Sequence, residues 1–288
     1  MKRHDTTPTL GISARLLIGA GIAASLFLIG IPLITIFSAA FKEGWQVYWK
    51  NISQPDTLAA IRLTVFAALV SVLVNTVFGV IAAWLLAHFR FPGRKLLLSL
   101  IELPLSMPSI VAGTAYLFIY GAQGWLGPWL MEHHLKIMFA VPGIILITVF
   151  VTCPFVIREI LPVMESQGQD EEDAAHTLGA NGWQILLRIT LPKIRWGLFY
   201  GIMLCNARAF GEFGAVSVVS GAIRGETSTL TLQVDQLYHD YNSTGAFASA
   251  TLLALITIVT LMIKLSIEHS STAKSSDSIT SSSMAAES

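Results

Sequence analysis

Long apolar blocks run through most of this chain, and each is long enough for an α-helix to cross a bilayer. A span needs roughly 20 mostly apolar residues because the hydrocarbon core is about 30 Å thick. Only 12% of the 288 residues are charged, whereas a typical soluble domain has about 25%. No water is available inside that core to bond the backbone N–H and C=O groups, so helices, which satisfy these groups internally, are expected. The blocks therefore predict an all-α membrane protein with about six transmembrane helices, over residues 14–41, 59–89, 95–120, 137–164, 196–220 and 245–267.

The distribution of basic residues predicts which ends of these spans face the cytoplasm. Loops on the inner side of a membrane carry an excess of Lys and Arg. Most of them collect on one side here: Lys2, Arg3, Arg15, Arg90, Arg94, Lys95, Arg188, Lys193, Arg195, Lys264 and Lys274. We therefore expect a cytoplasmic N-terminus over 1–13, a transmembrane domain over 14–268 and a Ser-rich cytoplasmic tail over 269–288. The tail has too little apolar surface to fold, so it is expected to be disordered.

An amphipathic loop of about thirty residues, 165–195, joins the fourth and fifth predicted spans. Four consecutive acids at 170–173 favour the positive end of a short helix. Gly179 and Gly182 are expected to end that helix, since glycine adopts left-handed backbone angles cheaply. A second short helix should then run until Pro192 stops it. A helix on the bilayer surface is the alternative, but such helices are basic rather than acidic, so we favour a docking element for a protein partner.

Within this loop, one set of residues has a fixed spacing. An acid-Ala-Ala triplet is followed after three residues by Gly, and after nine more by Ile-x-Leu-Pro. The matching residues are Asp173, Ala174, Ala175, Gly179, Ile189, Leu191 and Pro192, with Glu172 beside the triplet acid. This pattern resembles the signature loop of bacterial binding-protein-dependent importer permeases, where the acid is usually Glu. The resemblance implies that the loop forms coupling helices, which sit in a groove of a separate ATPase subunit.

Three further stretches, 91–113, 152–159 and 206–227, are similar to the sulfate/molybdate branch of this family. The resemblance covers roughly 14–268 and is greatest to the CysW type of sulfate/thiosulfate permease subunit. It implies a type I ABC importer permease fold in a bacterial inner membrane. The partners it implies are a second, CysT-type permease subunit, two ATPase subunits and a periplasmic sulfate/thiosulfate-binding protein. Sulfate or thiosulfate is the expected substrate, and molybdate, tungstate or another oxyanion remains an alternative.

The expected transport mechanism is alternating access driven by a separate motor. The sequence contains no G-x-x-x-x-G-K-[ST] phosphate loop. ATP is therefore expected to be used by a partner subunit, and no cofactor is expected to bind this chain. Rigid-body rocking of the helices around the anion path would follow closure of the motors.

Two charged residues, Arg208 and Glu212, lie inside the fifth predicted span, one helical turn apart. A lone charge at mid-membrane costs about 2.5–3.5 kcal/mol on the insertion scale, so the two are expected to pair. One interpretation is that the pair holds helices together. The other is that Arg208 faces the substrate pathway and Glu212 holds it in place. A partly neutralised arginine suits a pathway that must release an oxyanion as well as bind it.

Two prolines and one loop are further candidates. Pro104 and Pro108 interrupt the third predicted span near its start. They either shape a gate or introduce a packing kink. Arg224 and Glu226 lie in a loop predicted to be periplasmic, which either receives the binding protein and helps open an outer gate or is simply solvated.

Other classes of protein fit less well. An intramembrane enzyme or metalloprotein is disfavoured because H-E-x-x-H and G-x-S-x-G are absent and the seven histidines do not cluster. An ion-coupled secondary transporter would be expected to have inverted repeats, which the sequence does not show, and it leaves the 165–195 loop unexplained. A structural membrane scaffold is disfavoured by the loop pattern alone.

Overall fold

The computed structural model describes residues 12–168 and 170–286, and the regular structure in those ranges is entirely helical. Two π-helical turns, Leu26–Gly30 and Leu186–Thr190, interrupt otherwise continuous helices. The helices in chain order are α1 (Ile12–Ser25), α2 (Ile31–Ala40), α3 (Trp45–Ile52), α4 (Pro55–His88), α5 (Arg94–Ser106), α6 (Ser109–Tyr120), α7 (Gly127–Glu132), α8 (Val141–Gln167), α9 (Asp170–Thr177), α10 (Gly182–Ile185), α11 (Leu191–Phe210), α12 (Gly214–Val219), α13 (Leu230–His239) and α14 (Ser243–Ala286).

By length and composition, four helical runs among the described residues can cross a membrane. They are Ser13–Ala40, Pro55–His88, Val141–Gln167 and Ser243–Ile263. A fifth span results if α5 and α6, which meet at 112°, are counted as one broken span. The sixth predicted span, 196–220, corresponds to α11 and α12, which are separated by a break. Helix α11 also contains three charged residues, which lower its apolar content. Two of the six predicted spans are therefore broken helices.

Small residues allow α4 and α11 to pack closely on α8. A Cβ added to Gly79 of α4 would lie 2.7 Å from a methyl group of Val156. One added to Gly201 of α11 would lie 2.9 Å from the Val156 Cα atom. Close packing between small residues is the usual source of helix association in lipid, where apolar burial gives little driving force. The buried side chains at this junction include Leu86, Ile157, Ile160 and Ile194.

A buried amide, which the sequence analysis did not single out, joins the same helices. Asn75 of α4 is fully buried. Its Nδ2 donates to the Val149 carbonyl at 3.1 Å and to Thr152 Oγ1 at 2.8 Å, both on α8. Cys205 Sγ of α11 lies 3.8 Å from the same nitrogen. Interhelical hydrogen bonds of this kind hold transmembrane helices in register.

The two predicted terminal segments are described only in part. The predicted cytoplasmic N-terminus, 1–13, lies outside the described residues except for its last two positions. The backbone of α14 continues helically to Ala286, and the side chains beyond Ser266 lie outside the described residues. Disorder of the tail over 269–288 therefore stays a prediction.

Candidate functional site

The 165–195 loop begins with a short, exposed acidic helix. Its four acids occupy the first turn of α9, where the helix dipole favours negative charge. Helix α9 ends at Thr177, and Gly179 in the following turn has a φ of +85° and donates its N–H to the His176 carbonyl at 3.0 Å. This is the left-handed position that glycine accepts most readily.

The role predicted for Gly182 was wrong. Gly182 does not end α9, because it is the first residue of α10. Asn181 caps that helix: its Oδ1 accepts the Gln184 N–H at 2.9 Å, and Gln184 Oε1 accepts the Asn181 N–H at 2.9 Å. This reciprocal pair is a capping box, in which an Asn three residues before a Gln starts a helix.

The stop predicted at Pro192 was also wrong. Helix α10 continues through the π turn into α11, and Pro192 lies in the first turn of α11. In an unbroken α-helix, its ring would collide with the carbonyl four residues earlier. The wider π turn avoids this, since the Leu191 N–H donates to the Leu186 carbonyl, five residues back. The chain therefore enters the membrane helix without a break.

The two adjacent acids at the start of the motif have different environments. The Glu172 side chain is only 12% exposed. Its Oε1 accepts from Thr190 Oγ1 at 2.7 Å, and its Oε2 lies 2.7 Å from His88 Nε2 at the end of α4. Asp173 is exposed. Glu172 is thus bound within the chain and does not substitute for the motif acid Asp173. The sequence analysis missed His88 and Thr190.

An apolar surface remains exposed on the loop. Leu178, Trp183 and Leu187 are 88%, 71% and 58% exposed, respectively. Ala174, one helical turn before Leu178, is also exposed. We call these four residues the loop patch. The other motif residues are Ala175, Ile189 and Leu191, which are half-buried, and Pro192, which is exposed.

Arg208 and Glu212 form the expected ion pair, but the helix does not continue between them. Helix α11 ends at Phe210, and Glu212 lies in the break before α12. The Glu212 side chain is 1% exposed, whereas that of Arg208 is 32% exposed. Glu212 Oε1 accepts the Ala215 N–H at 2.8 Å, and Arg208 Nη2 donates to Ser109 Oγ at 3.0 Å. The carboxylate is therefore fixed in the protein, while the guanidinium remains accessible.

The third predicted span breaks at its middle and not near its start. Met107 is extended, with φ −96° and ψ +133°, because a residue before proline avoids the helical region. Pro108 then precedes α6 as its N-cap. Pro104 is buried inside α5 and does not interrupt it. Of the two prolines, only Pro108 lies at the break.

The two helix breaks lie side by side. A Cβ on Gly113 of α6 would be 2.7 Å from the Ala215 carbonyl oxygen of α12. A Cβ on Gly214 would be 3.1 Å from the Ser109 Cβ. Backbones therefore approach closely where both spans are interrupted, and Arg208 bridges them through its bond to Ser109. We call Ser109, Arg208 and Glu212 the break site.

The loop containing Arg224 and Glu226 is tied to α13. Arg224 pairs with Asp240, just beyond the end of α13. Gln236 Nε2 donates to the Ala222 carbonyl at 2.6 Å, which holds the loop at a second point. The side chain of Glu226 is exposed. These contacts do not bring Arg224 or Glu226 to the break site.

Residues 75–268 match the family described as "Binding-protein-dependent transport system inner membrane component". The chain belongs to this family, and it is a permease component of an ABC importer in the inner membrane, not an enzyme. It is 53% identical over 264 residues to "Sulfate transport system permease protein CysW" of Escherichia coli (strain K12), which covers 92% of this chain and 90% of that protein. It is also 37% identical to "Sulfate transport system permease protein CysT" of the same organism, over 80% of this chain and 86% of that protein.

Solved structures with the same fold are ABC importers. The chain matches a bacterial ABC transporter "involved in the import of the acidic polysaccharide alginate" with a TM-score of 0.73, 18% identity and coverage of 90% of this chain and 94% of that one. A structure of bacterial alginate ABC transporter in complex with a pentasaccharide-bound periplasmic protein matches with a TM-score of 0.72 and 17% identity, over 88% and 94% of the two chains. At this identity the likeness shows the fold, which is that of a type I importer permease.

Proposed function

We propose that this chain is a permease subunit of an ATP-driven importer for sulfate or thiosulfate. The 53% identity to a CysW sulfate permease over 92% of the chain supports the substrate class. A second permease subunit of the CysT type is the proposed partner, because a CysT protein is itself 37% identical to this chain. Two such subunits can pack about a pseudo-two-fold axis with the anion path between them.

The observation that carries the proposal is the break site. An accessible guanidinium lies where two interrupted helices meet, with a hydroxyl at 3.0 Å and a buried carboxylate behind it. Guanidinium groups suit oxyanions because their donors form a planar fork. Glu212 offsets part of the Arg208 charge, which prevents the tight binding that would trap a divalent anion in the path. Arg208 and Ser109 would therefore contact the passing anion, and Glu212 would hold Arg208 in place.

The loop patch supports coupling to a separate ATPase. Large apolar side chains such as Leu178 and Trp183 rarely remain exposed together unless a partner covers them. Asp173, next to Ala174 in sequence, is exposed and would be available to a basic residue of that partner. ATP-driven closure of the ATPase subunits would push on this surface and rock the helices.

The proposed orientation places both termini and the 165–195 loop in the cytoplasm. It follows from the excess of Lys and Arg around that loop and around Arg90, Arg94 and Lys95. The loop containing Arg224 and Glu226 would then face the periplasm, where a sulfate-binding protein would deliver the anion.

Labelled sulfate uptake tests this proposal directly. Vesicles would contain this chain, its candidate permease partner, the ATPase and the binding protein, and each component would be omitted in turn. Uptake that needs ATP and every component, and that thiosulfate inhibits, is the expected result. Stronger competition by molybdate or tungstate than by thiosulfate would indicate the alternative oxyanion. Uptake by this chain alone, driven by an ion gradient, would refute the proposal.

A further inference from the structure

His88 connects the longest well-packed helix, α4, to the coupling loop. It is the last residue of α4, and its side chain is 13% exposed. Its Nε2 lies 2.7 Å from Glu172 Oε2, and the other oxygen of that carboxylate accepts from Thr190 Oγ1 at 2.7 Å. One carboxylate on α9 thus contacts both the end of α4 and the start of the α11 helical run.

The surroundings of the ring indicate that this contact is charged. His88 Nδ1 lies 3.1 Å from the Trp84 carbonyl oxygen, which can only accept a hydrogen bond. Its Nε2 faces a carboxylate oxygen, so both ring nitrogens face oxygens that can accept a hydrogen bond. The hydroxyl of Thr190 donates to the other carboxylate oxygen, so both oxygens of Glu172 have a polar partner. This geometry fits an imidazolium and a carboxylate joined by a charge-assisted hydrogen bond.

Apart from the contacts of Glu172 with His88 and Thr190, helix α9 is weakly packed against the rest of the described residues. None of its eight residues Asp170–Thr177, all of which the structure describes, is buried. Lys193 of α11 lies 3.0 Å from Glu171, but the Glu171 side chain is 69% exposed. Such an exposed pair contributes little. Of these two ion pairs, the half-buried one between His88 and Glu172 is therefore the stronger attachment of α9 to the membrane helices.

The other part of α4 reaches the elements of the break site. Ala68 of α4 packs with Ala209 and Phe210, which are next to Arg208 and Glu212 in sequence. Thr64 Oγ1 of α4 accepts the Leu230 N–H at 2.8 Å. Helix α4 is therefore one rigid element that contacts the coupling loop at one end and residues beside the break site near the other.

We propose that His88 is a positioning residue for transport: its charged bond to Glu172 transmits movement of α9 to α4, and through α4 to the break site. This inference rests on the proposed function of the chain as a coupled permease. Without this bond, a push on α9 would reach α4 only indirectly, through its connections to α8 and to the α11 helical run. His88 does not contact the anion or ATP in this role.

The test compares three variants in the complete reconstituted complex. His88→Gln removes the charge, His88→Lys restores a cation, and His133→Gln is the matched control. His133 has the same local arrangement, with Nδ1 at 2.9 Å from the Trp129 carbonyl and its ring stacked on Trp129. Its side chain is exposed, and it forms no ion pair with any of the described residues. Two quantities are measured: hydrogen exchange of the α9 amides, and sulfate transported per ATP hydrolysed.

We expect His88→Gln to accelerate exchange in α9 and to lower the transported sulfate per ATP by about tenfold, the equilibrium effect of one hydrogen bond to a charged group. His88→Lys should recover most of both, and His133→Gln should change neither. Glu172→Gln should give the same phenotype as His88→Gln, with no further loss when the two are combined.

Unchanged α9 exchange in His88→Gln would overturn the inference, whatever the transport result. So would faster exchange with a normal ratio of sulfate to ATP, because the bond would then be structural only. A reduced amount of assembled complex with a normal ratio in the remainder would have the same meaning. If the proposed function itself is wrong, the result is different, because the wild-type complex then shows no ATP-dependent uptake.

Discussion

Removing the charge of Arg208 separates the two interpretations of the break site. The perturbations are the single variant Arg208→Gln and the double variant Arg208→Gln/Glu212→Gln. In the single variant, Glu212 keeps its bond from the Ala215 N–H but loses its counter-ion at a position that is 1% exposed. In the double variant, neither side chain is charged, and two amides of similar shape can bond to each other.

The magnitudes follow from the burial of the two groups. Leaving one partner of a buried ion pair uncompensated costs about 3–5 kcal/mol. Arg208 is 32% exposed, so water already screens part of the pair. We therefore expect Arg208→Gln to lower the free energy of unfolding by about 2–3 kcal/mol. Neutralising both partners leaves no uncompensated buried charge, so the double variant should lose only about 1 kcal/mol of stability or less.

The assay combines thermal unfolding of the purified complex with sulfate uptake in vesicles. If Arg208 acts on the anion, the single variant is destabilised and inactive, whereas the double variant regains stability but not uptake. A double variant with near-normal uptake would refute the pathway role, because the pair would then serve only to hold the helices together. Lys in place of Arg208 should retain part of the uptake, since a point charge remains without the planar fork.

Three further substitutions test other parts of the structure. The Gly179→Trp variant should assemble into the complex but lose uptake. A φ of +85° costs a bulky residue about 1–2 kcal/mol, and the strain distorts the loop patch. Normal uptake with normal ATPase stimulation would contradict the coupling role. Gly113→Val should lower the unfolding temperature and the yield of complex, because the new Cβ would lie 2.7 Å from the Ala215 carbonyl oxygen. The control Gly19→Val should change neither, because a Cβ at Gly19 has no neighbouring atom within 4 Å. Asn75→Leu should lower the free energy of unfolding by about 1 kcal/mol, seen as a lower unfolding midpoint with a normal ratio of sulfate to ATP. An unchanged midpoint would show that the hydrogen bonds of the buried amide do not stabilise the fold.

The fold class and the approximate positions of the helices could be predicted because they depend on apolar length alone. A run such as 55–88 is helical wherever it lies in a bilayer, since its backbone must be satisfied internally. Interruptions were predicted at both Pro104 and Pro108, near the start of the span, because a proline in the sequence indicates a possible break but not which of two prolines makes it. Pro104 remains within α5, and the extended conformation of Met107 decides the position of the break.

The residues that the sequence analysis missed are those whose roles depend on contacts between distant segments. His88 and Glu172 are 84 positions apart, and Ser109 and Arg208 are 99 apart. No local pattern around His88 distinguishes it from His133, which follows a tryptophan at the same spacing. The capping box of Asn181 and Gln184 is different, since its spacing is a local pattern that could have been identified in the sequence.

The arrangement of α4 and the two breaks explains how a push at one surface can open a path elsewhere. Continuous helices packed as closely as α4, α8 and α11 move together, because Gly79 and Gly201 leave no space for sliding at Val156. Movement must then be taken up where helices are interrupted, at Pro108 and in the break before α12. Arg208 bridges those two interruptions, so its guanidinium would change position whenever they open or close relative to each other. An anion-contacting residue placed there responds to rigid-body rocking without any change inside the helices themselves.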